Sequence, residues 1–307
     1  MATSKKSERV VERELLGLLK KSVKKNKADA IFLSGGIDSG LLSALAKPKI
    51  AITCRFPYGK KYDEFDDAKK TAKHLGIRHI VITPTKEDFL DNLENAVKAY
   101  KPTSHFSLVP LYLLFKKASE IGIKTILSGE GPDELLGGYA RYIPFLEEKK
   151  LYDNEALENY TRMIDNFRGN VLERYCNLVG YDFEKAKRVK LKSNGLIGNL
   201  GEIDLAMGEI EIMEQALAKH FGIRLLYPFL EKEVVDYCQK LPDNMRINGF
   251  TKIILRRIAE KFIPYDIAWR INKMGGPVAP VGKWLGEKDE FSKKKYLDLQ
   301  WKLYQSS

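Results

Sequence analysis

Cysteine is scarce in this 307-residue chain. Cys54, Cys176 and Cys238 are odd in number, far apart, and form no Cys-x-x-Cys pair. That argues against a disulfide framework and against a thiolate zinc site. Histidine is nearly as scarce, and His74, His79, His105 and His220 show no metal-ligand spacing. No apolar run reaches the roughly 18 residues of a membrane span. The polar stretch 1–10 has no apolar signal-peptide core. The expected setting is therefore cytoplasmic, without a membrane. Internal repeats, low-complexity tracts and Gly/Ser linkers are also missing. No Gly-Lys-Ser or Gly-Lys-Thr closes a Walker A loop.

The hydrophobic fraction of 44% is enough for a sizeable core. The net charge of +11 suits a polyanionic partner, with ATP and RNA as candidates. Much of that charge is local, at Lys20, Lys21, Lys24, Lys25 and Lys27 and at Lys293, Lys294 and Lys295. A solvated basic face is favoured over a nucleic-acid surface.

The informative stretch is Ala30-Ile31-Phe32-Leu33-Ser34-Gly35-Gly36-Ile37-Asp38-Ser39. A short apolar run predicts a buried strand, two glycines break it, and a helical pattern opens at Ser39. A strand, a glycine turn and a helix start surround an anion with backbone N–H groups. Asp38 would repel a bare phosphate, so it implies a bridging Mg²⁺.

An amphipathic helix is expected over 8–25. Strands are expected at 29–34, 50–56, 79–83 and 124–128. The intervening helices are placed at 39–47, up to His74 with Asp63 or Asp66 as cap, 86–99 and 109–120. This alternation predicts an α/β fold, a parallel sheet with helices on both faces. Ligands on such sheets sit beyond the carboxyl ends of the strands, where both glycine-rich turns fall. From about residue 145 strand signals fade and long charged amphipathic stretches take over. The expected organisation is one domain over 1–307. It has an N-terminal helix in 1–28, a nucleotide-binding core in 29–145 and a mainly helical part in 146–307 packed on that core.

A second cluster, Leu127-Ser128-Gly129-Glu130-Gly131-Pro132-Asp133-Glu134-Leu135-Leu136-Gly137-Gly138-Tyr139, places three carboxylates in five residues between glycines. Such carboxylates repel one another unless a cation sits among them. An acidic helix start accounts for Asp133 and Glu134 but not for the glycines around them.

Together these motifs carry a resemblance. The first run is similar to the PP-loop of ATP pyrophosphatases. The second resembles the synthetase domain of asparagine synthetases and their β-lactam synthetase relatives. Asp63-Glu64-Phe65, Pro228-Phe229-Leu230, Lys252, Leu255-Arg256, Arg270 and Lys273 follow in the family's order. The resemblance implies an adenine nucleotide α-hydrolase-like fold and an ATP-dependent amide-forming ligase. On this reading Ser34, Gly35, Gly36, Asp38 and Ser39 cradle pyrophosphate, and Asp38 and Asp133 hold Mg²⁺. Backbone at Leu33, Ile52, Thr53, Cys54 and Gly129 binds the nucleoside. Glu130 faces the activated carboxyl, and Lys273 stabilises negative charge. Arg256 and Arg270 stay open between a surface salt bridge and a phosphate contact.

The glutaminase half typical of glutamine-dependent relatives is missing from the sequence, so the nitrogen would come from ammonia, a substrate amine or a separate glutaminase. A homodimer is compatible with the resemblance. His105 and Leu226 stand where the family has an acidic residue and an arginine. That puts aspartate as the substrate in question. Two alternatives accompany the ligase: a PP-loop enzyme acting on tRNA, and a nucleotide-binding subunit paired with a glutaminase.

Overall fold

The computed structural model describes residues 7–59, 62, 64–101, 105–146, 164, 166–208, 210–271, 278–290 and 292–306. Asp63 and Lys273, singled out in the sequence, lie outside them. The described residues fall into two compact units whose segments interleave along the chain. One takes Val23–Ser128, Ile210–Leu226 and Phe262–Ser307; the other takes Met1–Ser22, Gly129–Glu209 and Tyr227–Lys261.

The first unit holds a five-stranded parallel sheet in the order β3-β2-β1-β4-β5. The strands are β1 (Ala30–Phe32), β2 (Ile50–Cys54), β3 (Arg78–Ile82), β4 (Thr125–Leu127) and β5 (Arg224–Leu226). The first four match the predicted strands: β1, β2 and β4 are shorter than expected, and β3 is shifted one residue towards the N-terminus. The fifth lies in the stretch where strand signals fade. Ala30 pairs with both Ile50 and Ile126, so β1 is the central strand. The helices of the same stretch of chain are α1 (Glu8–Lys25), α2 (Ile37–Ala46), α3 (Phe65–Leu75), α4 (Lys86–Asp91), α5 (Leu93–Ala99) and α6 (Leu108–Glu120). Of these, α1 begins in the second unit.

Two-residue alternation decides what each sheet face covers. Ala30, Ile52 and Cys54 join a core with Phe89, Val97, Phe115, Met213 and Leu217, drawn from α4, α5, α6 and the helix Ile210–His220. Thr53 turns the other way, towards α3. The expected helix 86–99 is broken at Asn92, whose side-chain amide donates to the Asp88 carbonyl (2.7 Å). Diverting that carbonyl interrupts the helix ladder. Gly76 ends α3 in the left-handed conformation (φ 66°), as its position after His74 predicts.

The second unit is built from helices. Its core gathers Tyr142, Ile143, Tyr175, Cys176, Ile197, Leu200, Ile203 and Ile247. Asp204 is buried there as the acceptor for the hydroxyls of Tyr142 and Tyr175 and for the Arg141 guanidinium. All three cysteines are buried and free. No helix among the described residues is long and apolar enough to cross a membrane.

Candidate functional site

The first glycine turn leaves the sheet at Leu33. The Leu33 amide donates to the Ile52 carbonyl (3.0 Å), and its own carbonyl accepts the Thr53 hydroxyl (2.7 Å). Having spent its one proton, the Thr53 hydroxyl must accept from His79 Nε2 (2.7 Å), which fixes the His79 tautomer. Burial, with Lys69 nearby, holds the His79 pKa below its ordinary value, so the ring is neutral at pH 7.

Past Leu33 the turn is laced by its own hydroxyls. Ser34 N–H donates to Ser39 Oγ (3.2 Å), Gly36 N–H donates to Ser34 Oγ (3.2 Å), and the two hydroxyls lie 3.1 Å apart. Gly35 has φ 87°, and a Cβ there would stand 2.5 Å from the Glu64 carbonyl oxygen. Only glycine fits both demands. Gly36 is the N-cap of α2 and offers no side chain to the helix amides. The first turn of α2 thus keeps its N–H groups and its positive dipole end for a ligand, with Asp38 in that same turn.

Glu64, buried against this turn, is held by Arg270, which also pairs with Asp67. Arg270 is therefore an ion-pair partner at the wall of the loop. The Arg256 Nε donates to the Thr251 carbonyl (2.7 Å), and its guanidinium lies over Phe250.

Strand β4 ends beside β1 in parallel register, Ile31 opposite Leu127. The two strand ends from which the glycine turns leave are therefore neighbours on one rim, as the sequence predicts. Ser128, at the end of β4, donates its hydroxyl to the buried Glu214 (2.9 Å) and its amide to the Leu226 carbonyl (2.9 Å). Leu226 is thus occupied as a member of β5.

In the second unit, Gly129 and Glu130 are half-buried and lead into α7 (Pro132–Leu136). Asp133 pairs with the Lys252 ammonium at 2.8 Å. Gly138 packs so tightly on both that a Cβ there would overlap the Asp133 carboxylate and the Lys252 stem. Glu134 accepts the Tyr139 hydroxyl. Burial first, then the charge of Asp133, pushes the Glu134 pKa up to about 7. Within the cluster Asp133 is thus paired with a lysine, and Glu134 is held towards its neutral form. The sequence placed Lys252 only by its order in the family, and nothing in its neighbours signals a partner 119 positions away.

His105, in the first unit, belongs to the frame. Its Nδ1 accepts from the Ser107 amide (3.1 Å) at the start of α6, and Gln300 brackets its backbone N–H and carbonyl (2.9 Å each). Burial, with Lys293 nearby, pushes its pKa down to about 4. It is a neutral acceptor rather than a charged recognition group.

Among the described residues, no three His, Cys, Asp or Glu side chains gather closely enough to make a metal centre by themselves. Mg²⁺ needs less, because it takes one or two carboxylates and completes its shell with water and phosphate oxygens. Asp38, in a helix first turn lined by hydroxyls, fits that donor set.

Asparagine synthetase [glutamine-hydrolyzing] 1 of Bacillus subtilis is 30% identical over 297 residues, covering 83% of this chain and 46% of its own length. Asparagine synthetase B [glutamine-hydrolyzing] of Escherichia coli is 26% identical over 261 residues, covering 78% and 39%. The chain thus spans about half the length, or less, of these curated relatives. Among solved structures, the U34-tRNA thiolase NcsA from Methanococcus maripaludis aligns over 96% of this chain and 78% of its own. Its TM-score is 0.38 and its identity 15%, too loose a likeness to argue from. Residues 14–299 match the asparagine synthase family. With nearly its whole length matched, the chain belongs to the asparagine synthase family.

Proposed function

We propose that the protein is an ATP-dependent amide-forming ligase. It adenylates a substrate carboxylate with release of pyrophosphate, then passes the acyl group to ammonia or an amine. The observation that carries this is the start of α2, where a glycine turn and two serine hydroxyls leave helix amides uncapped at the carboxyl end of the central strand.

The roles follow from the chemistry each side chain can supply. A carboxylate is a poor electrophile until an oxygen is converted into a leaving group. Its attack on the α-phosphorus forms a mixed anhydride with AMP and expels pyrophosphate. Ser34, Gly35, Gly36 and Ser39 would hold the pyrophosphate as its charge grows. Backbone at Leu33, Ile52, Thr53, Cys54 and Gly129 would bind the nucleoside. Asp38 is proposed as one protein ligand of Mg²⁺ and Asp133 as another; the ion would neutralise charge on the phosphates when bound. Lys273 would stabilise the α-phosphate. Glu130 would steer the incoming amine and take its proton as it attacks the acyl carbon. The substrate is a small carboxylate. Ammonia, a substrate amine or a separate glutaminase supplies the nitrogen, and a homodimer is compatible with this chemistry.

The test is pyrophosphate release from ATP and Mg²⁺ with a panel of carboxylates, with and without ammonia. The expected result is carboxylate-dependent pyrophosphate and AMP, abolished in Asp38→Ala and in Asp133→Ala with circular dichroism unchanged. Pyrophosphate release that requires tRNA would replace this reading with a tRNA-modifying enzyme. Tight ATP binding without turnover would replace it with a nucleotide-binding subunit.

A further inference from the structure

The side chain of Arg55 is used by none of the roles above. It follows the last residue of β2, and its amide still donates into the sheet, to the Ile82 carbonyl (2.8 Å). Its backbone is therefore fixed at the carboxyl rim. By two-residue alternation its side chain leaves on the same face as Thr53, whose hydroxyl holds the Leu33 carbonyl at the root of the phosphate turn.

The guanidinium is held from below. It lies 4.2 Å over the centre of the Phe65 ring. Phe65 stacks on His79 at 6.0 Å and 22°, and His79 closes the circle through its bond to Thr53. Phe65 is also the residue after Glu64, whose backbone forms the wall against Gly35. Arg55 is thus preorganised on an aromatic platform beside the phosphate turn, with little rotamer freedom left to lose on binding.

Its hydrogen bonding is incomplete. The Nε–H is buried and meets no acceptor among the described residues. Two carboxylates close to the turn, Glu64 and Asp67, pair with Arg270 instead. A buried donor left unmatched is costly, and a ligand oxygen that supplied the acceptor would recover that cost. A planar guanidinium is best matched by an oxyanion with two oxygens to offer.

We propose that Arg55 is a ligand-binding residue that receives an oxyanion beside the phosphate turn. The oxyanion is either a phosphate oxygen pair of the bound nucleotide or the carboxylate of the second substrate. The inference rests on the ligase reading above.

Calorimetric titration with inorganic pyrophosphate and with ATP tests the first source and needs no turnover. Steady-state KM for the carboxylate tests the second. Both are measured on wild type, Arg55→Gln and Arg55→Lys, with thermal midpoints as a check on folding. The expected result is at least a tenfold weakening in Arg55→Gln, partly restored in Arg55→Lys, with the midpoint within a few degrees of wild type. Weaker pyrophosphate and ATP binding assigns the oxyanion to the nucleotide. A raised carboxylate KM alone assigns it to the second substrate. Arg55→Gln equal to wild type in both titrations and in the carboxylate KM overturns the inference. A wild-type protein that binds neither pyrophosphate nor ATP overturns the ligase reading instead, so the two failures are distinguishable.

Discussion

Lys252 occupies a place few lysines do. It is 2% exposed, its backbone is left-handed at φ 53°, and its ammonium lies 2.8 Å from Asp133. A non-glycine residue held at positive φ is strained, and strain of this kind persists where the surroundings impose it. Here the buried ammonium is paired with Asp133, in the first turn of α7. Lys252→Met keeps the bulk and removes the charge. The expected outcome is a loss of about 3–5 kcal/mol, because a carboxylate is left buried and unmatched. Urea denaturation of the two proteins measures it. A change below about 1 kcal/mol would show that the pair has no structural weight.

Glu134 makes a related prediction with a definite sign. Its folded pKa of about 7 stands above its ordinary 4.5. The folded state therefore binds more protons than the unfolded state between those values, and stability falls as pH rises through that window. Asp133, Lys252, Tyr139 and Asp204 set the local charge, and Tyr139 can donate equally well to a carbonyl oxygen. Glu134→Gln should be more stable than wild type at pH 8, by roughly 2–3 kcal/mol, and the advantage should vanish below about pH 4.5. Equal slopes of stability against pH for the two proteins would place the proton elsewhere.

Among elements, α2 shows most clearly what a sequence can announce. Leu33 through Ser39 already contain the strand end, the glycine pair and the hydroxyls, and the folded turn uses each of them. Gly35→Ala should therefore weaken pyrophosphate binding at least tenfold in calorimetry and lower the thermal midpoint. The added methyl meets the Glu64 carbonyl, and positive φ costs an alanine about 1–2 kcal/mol. Unchanged binding would mean that the loop has no fixed shape to lose. Other elements were legible only in part. The alternation up to residue 128 yields four of the five strands, because each flanks a turn or helix signal of its own. Arg224-Leu225-Leu226 is too short for a period to register, and it becomes a strand only by pairing with β4, about a hundred positions earlier. The break at Asn92 depends on one side-chain amide reaching one carbonyl. Partnerships such as Arg270 with Glu64 are made by the fold across long sequence separations, so composition and spacing cannot reveal them.

At the scale of the whole molecule, the net charge of +11 is the feature that could mislead. It would draw any polyanion, so RNA retained on the protein at low salt says nothing about a substrate. A charge excess of this kind acts through counterion release and long-range attraction, and both fade with added salt. RNA retained at 50 mM salt should be largely released by 200 mM. Pyrophosphate release should be the same with and without tRNA at either salt concentration. Ammonia should support amide formation at both salt concentrations. Filter retention across a salt series, run beside the pyrophosphate assay, separates attraction from recognition. RNA binding that survives 200 mM salt together with tRNA-dependent pyrophosphate would make nucleic acid the substrate. Salt-sensitive binding with tRNA-independent turnover leaves the charge as long-range attraction without recognition.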